Sequence, residues 1–71
     1  GSPAQALAVV EKVLQARPHE ADLLWLAGVY SLEQGKPAEA VAYAERLLAV
    51  SSGSSRATAL LREAKGRAPV D

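Results

Sequence analysis

The chain has 71 residues, 8 Lys and Arg against 8 Asp and Glu, no cysteine and one histidine. So short a chain is at most one domain with a marginal core, its balanced charge lacks the basic excess on which phosphate contacts depend, and without cysteine it has no disulfide staple or thiolate metal site. No apolar run nears the roughly 18 residues of a membrane span, no signal peptide is visible, and His19 cannot build a metal site alone. Neither nucleic acid, membrane insertion, metal nor cofactor is therefore expected. Stability has to come from helix packing, neighbouring repeats or self-association.

In chain order, Gly1-Ser2 reads as a cloning scar. A first helix is predicted over 3–16. Pro3 suits its first turn, where a missing N–H costs nothing. Ala6, Val10, Val13 and Leu14 recur on one helical face. Pro18 closes it, because the residue before a proline resists the α region, and His19 follows as an exposed turn residue. A second helix is predicted over 21–34, with Gly35 supplying the left-handed stop. A third, over 37–50, opens on Pro37, carries Ala40, Ala44, Leu47 and Leu48 on one face, and is closed by Gly53. Ser54 or Ser55 caps a fourth over 55–66, and 67–71 reads as a frayed tail. The connections are short, so neighbours form antiparallel hairpins in one all-α unit.

The third helix repeats the first. PAQALAVVEKVLQA and PAEAVAYAERLLAV share Pro3/Pro37, Ala4/Ala38, Ala6/Ala40, Ala8/Ala42, Glu11/Glu45 and Leu14/Leu48 at an offset of 34 residues. A period of that length marks stacked helical hairpins. Charge is uneven along the chain: Glu20, Asp22, Glu33, Glu39 and Glu45 stand against Lys36 alone, whereas Arg56, Arg62, Lys65 and Arg67 stand against Glu63 alone. Such asymmetry either steers a partner or reflects two solvated faces.

In period and small-residue pattern the chain resembles the tetratricopeptide repeat family. Residues 21–54 match one complete repeat at Leu24, Ala27, Gly28, Ser31, Ala40, Ala44, Leu47 and Ser52. Leu24 and Ser31 hold the family's bulky Trp and Tyr positions, and Ser52 its closing proline. Residues 3–20 are similar to the second helix of a preceding repeat, and 55–67 to a following first helix or a cap. Arg62 stands one period after Gly28, which favours a polar terminal cap. The resemblance implies an α-solenoid fragment of four helices and a non-catalytic scaffold binding a protein or peptide. It also implies that the first helix of a repeat lines a concave groove.

In ADLLWLAGVYSLEQ the expected core face is Leu23, Leu24, Ala27, Gly28, Tyr30 and Ser31. Trp25, Leu26, Val29 and Leu32 then fall on the flank or the opposite face. A helix apolar nearly all round is buried on more than one side, so something covers Trp25 and Val29: helices 3–16 and 55–66, a bound peptide, or a second copy of the chain. An exposed Trp on such a patch is otherwise a binding site or an aggregation liability. Arg56, Leu60, Glu63 and Arg67 are expected to point toward the same groove, giving an apolar anchor near Trp25 with a ligand carboxylate near Arg56 or Arg67. Asp22, Trp25 and Val29 replace the cations and Asn of the family's acidic-peptide clamp, so the resemblance argues against that clamp in the complete repeat. Homodimerisation through Trp25 is the alternative.

No nucleophile, base and orienter converge in the sequence. SSGSS (Ser51 to Ser55) has one glycine and reads as a connector rather than a phosphate loop. The absence of cysteine fits cytoplasm and periplasm equally, and the Ala/Arg/Leu-rich style points to a GC-rich bacterial genome.

Overall fold

The computed structural model describes residues 2–68. Four helices follow one another: α1 (Pro3–Ala16), α2 (Ala21–Glu33), α3 (Pro37–Val50) and α4 (Ser55–Arg67). Among the described residues there is no strand. The chain is an all-α stack of helix hairpins. Observed ends differ from the expected ones by one residue at the end of α2 and of α4, the usual fraying of a last turn.

Each boundary has a local cause. Ser2 caps α1, its Oγ accepting from the Gln5 N–H at 3.2 Å. Of the two candidate caps for α4 it is Ser54 that serves, accepting from the Ala57 N–H at 3.1 Å. These bonds satisfy N–H groups that a helix start leaves unpaired. Gly35 sits at φ 74, a conformation that glycine adopts without strain. Around it the Lys36 N–H donates to Ser31 O at 2.9 Å and the Gly35 N–H to Leu32 O at 3.0 Å. That pair of bonds is a Schellman closure of α2.

Gly53 does not close α3. The helix ends at Val50, and the Ser51 N–H donates to Leu47 O at 2.8 Å. Among the described residues Gly35 is the one glycine with positive φ. The turn after α3 instead copies the turn after α1. Arg17 (φ −133, ψ 70) and Ser51 (φ −143, ψ 88) have nearly the same backbone. The Glu20 N–H donates to Arg17 O at 3.3 Å, and the Ser54 N–H to Ser51 O at 3.1 Å. The shape of this turn therefore survives the replacement of Pro18 by Ser52.

α2 packs against all three other helices, and α3 lies against both α2 and α4. One core cluster joins Leu7, Val10 and Leu14 of α1 to Leu24, Ala27, Leu47 and Ala57. A second joins Leu32 of α2 to Ala40 and Ala44 of α3 and to Leu60 and Ala64 of α4. Burying each large aliphatic side chain contributes about 1.5–3 kcal/mol.

Two expectations about faces are corrected. On α1 the buried set is Leu7, Val10 and Leu14, while Val13 is 39% exposed, because no described helix lies over that side. On α2, Leu23 and Tyr30 are only half-buried, whereas Leu32 is buried between α3 and α4. Gly28 makes room for α4: a Cβ there would collide with Leu60 Cδ2. Ser31 is fully buried and its Oγ has no hydrogen-bond partner. A buried hydroxyl left unpaired is a local cost to stability.

Candidate functional site

α2 and α4 are related by the 34-residue offset, so equivalent positions on the two helices stand in register. Asp22 corresponds to Arg56, Trp25 to Ala59, Val29 to Glu63 and Glu33 to Arg67. These spacings of three and four place each set along one helical stripe. The two stripes form the walls of a groove of about 420 Å³ lined by Trp25, Val29, Leu32, Glu33, Arg56, Ala59, Leu60, Glu63 and Arg67. Its floor is apolar and its rim charged, and its volume is at the small end of the range of ligand clefts.

Trp25 is half-buried and packs against both core clusters, so it is fixed from below. Arg56 lies over its ring, 5.0 Å from the centroid. The same guanidinium donates to Asp22 Oδ1 at 2.8 Å. α4 therefore covers one face of Trp25 and leaves the remainder turned to the groove. Farther along α4, Arg67 donates to Glu63 Oε1 at 2.6 Å. Both ion pairs are solvent-exposed and are each worth under about 1 kcal/mol. Their effect is on charge: each rim arginine already has a carboxylate.

Of the nine positions expected to form a groove, Trp25, Val29, Leu32, Arg56, Leu60, Glu63 and Arg67 line this one. Leu32 and Leu60 belong to its buried floor. Asp22 stands at its end through the bond to Arg56. Leu26 lies elsewhere, packed against the cluster that α1 shares with α2. Its placement is a matter of 100° per residue: Leu26 lies 100° round the helix from Trp25 and about 60° from Val29, enough to turn it off the groove stripe and onto that cluster. Sequence reasoning missed Glu33 and Ala59. The signal was present, since Glu33 is four residues beyond Val29 and Ala59 three beyond Arg56 on the same stripes.

A second polar cluster ties α1 to α3. The Tyr43 hydroxyl donates to Glu11 Oε2 at 2.9 Å. Arg46 lies 5.5 Å from the Tyr43 ring centroid and donates to Pro18 O at 3.2 Å. Burial, then the bond to Glu11 and that carboxylate's charge, push the Tyr43 pKa up to about 12, with Arg46 opposing. A phenol held protonated beside a carboxylate fastens two helices. His19 is exposed in the turn after Pro18. Among the described residues no group of three or more His, Cys, Asp and Glu could hold a metal. No described helix is long and apolar enough to cross a membrane.

A family model described as tetratricopeptide repeat matches residues 1–62. No curated protein and no solved structure matches the chain.

Proposed function

The chain belongs to the tetratricopeptide repeat family, and from that premise we propose that it is a non-catalytic scaffold whose ligand, a peptide or protein segment, lies in the groove between α2 and α4. The family is generally a protein–protein interaction module. One observation carries the finer reading: equivalent stripes of α2 and α4 converge on an apolar floor that leaves part of Trp25 open. Tryptophan set in a partly desolvated concavity is the type of residue that dominates binding energy.

Self-association through Trp25 is the second reading the sequence offers. Arg56 on the Trp25 ring, held there by Asp22, weighs against it. A second copy would have to displace that guanidinium or stack on it.

The test is to select binders from a random peptide display library and map the best one on the isotope-labelled chain by amide chemical shifts. Shifts gathered on Trp25, Val29, Ala59 and Glu63 are expected. Shifts gathered on Ala6, Val9 and Val13 instead would move the binding surface to α1 and defeat the groove reading.

A further inference from the structure

We infer that the groove prefers a ligand carrying a positive charge beside its apolar anchor, with the cation seated at the end where α2 and α4 terminate. This rests on the groove being the binding surface and names the chemistry of its partner. It reverses the expectation from sequence, which paired a ligand carboxylate with Arg56 or Arg67.

Counting charge along the groove carries the inference. Arg56 is paired one to one with Asp22 at 2.8 Å and is also held over the Trp25 ring. At the other end Glu33 and Glu63 line the same groove as a single cation, Arg67. Arg67 bonds Glu63 at 2.6 Å, and among the described residues Glu33 has neither an ion pair nor a side-chain hydrogen bond. If Arg67 swung to Glu33, its equivalent position on α2, Glu63 would be released in its place. One carboxylate is therefore left over in either arrangement, and the surplus does not depend on which rotamer the arginine adopts.

The helix ends act in the same sense. α2 ends at Glu33 and α4 at Arg67, and both helices run antiparallel to α3. Their C-termini thus lie at the same end of the groove. A helix C-terminus carries the equivalent of about half a negative charge, felt within its last turn. A cation there meets a spare carboxylate and two dipole ends, while a carboxylate meets all three as repulsion. At the Asp22 end the one cation is already neutralised. Lys36, Arg62 and Lys65 do not line the groove. An apolar side chain over Val29 and Leu32 with a Lys or Arg next to it satisfies both the floor and the rim.

Three short peptides that share one apolar core, flanked by lysines, by glutamines or by glutamates, are titrated into the full chain and followed by amide shifts, a readout that registers millimolar affinity. The lysine peptide is expected to bind roughly threefold to fivefold tighter than the glutamine peptide at low salt, as one partly exposed charge pair allows. The glutamate peptide is expected to bind weakest, and the spread to shrink as salt shortens the screening length. Glu33→Gln should remove most of the lysine preference, whereas Glu45→Gln on the exposed side of α3 should leave it intact and so control for net charge. Both substituted side chains are exposed, so the fold is spared. Equal binding of all three peptides in the groove, or a preference for glutamate, overturns the inference and leaves the groove reading standing. Absence of any groove shift with all three overturns both.

Discussion

α1 and α3 carry the same 34-residue pattern, yet the protein buries them differently. Leu47 of α3 is 1% exposed, whereas its equivalent Val13 in α1 is 39% exposed. Val9, the equivalent of Tyr43, is 63% exposed. The sequences ask for the same face; the neighbours decide what it gets. α3 lies between α2 and α4, while the backbone of α1 approaches α2 alone. A residue of one repeat therefore has no energetic value of its own, because the interface with the next helix supplies it.

The largest expected break in that comparison is Leu47→Ala. Removing a large buried side chain costs about 2–5 kcal/mol, which a small domain can barely spare. A urea or thermal melt should show most of the cooperative transition lost. Gly28→Val comes next: it drives a branched side chain into Leu60, and overpacking of this kind costs about 1–3 kcal/mol. Its damage should fall on α4, with hydrogen exchange quickening there before α1.

Tyr43→Phe sharpens the comparison by cutting the one side-chain link between α1 and α3 that uses Glu11, at a cost of about 1 kcal/mol. It has a pH signature. The Tyr43 pKa is raised in the folded chain, to about 12 from 10.0, so its contribution is fully present below pH 10 and is lost as pH rises toward 12. Melts across that range should decline more steeply for the natural chain than for Tyr43→Phe. The smallest effect belongs to Val13→Ala, expected within about 0.5 kcal/mol of zero because the side chain is largely in solvent. If it cost as much as Leu47→Ala, the contrast between the two helices would be wrong.

Much of this was legible in the sequence because it is local. Proline at helix starts, Gly35 at a left-handed stop and the 34-residue period gave four helices with ends right to within a residue. Faces were harder. α2 is apolar on almost every side, so its periodicity has no phase, and Leu26 and Leu32 could not be sorted. Leu32 went to the floor between α3 and α4, and Leu26 to the α1 side. Val13 looked like core because its repeat partner is; nothing in one chain's pattern says how many helices flank it. The pairing of the groove charges was hidden for a related reason. Arg56 and Arg67 were visible as cations, but their pairing with Asp22 and Glu63 depends on how α2 and α4 align in space.

The measurement that tests the groove most directly compares two arginine substitutions at exposed positions, Ala59→Arg in the groove and Val13→Arg on the open face of α1, for binding to one selected peptide. Ala59→Arg is expected to weaken binding about tenfold or more, as filling a hot-spot concavity with a charge does, while Val13→Arg leaves it within about twofold. The opposite pattern, with binding lost on α1 and kept in the groove, would contradict the placement of the site between α2 and α4.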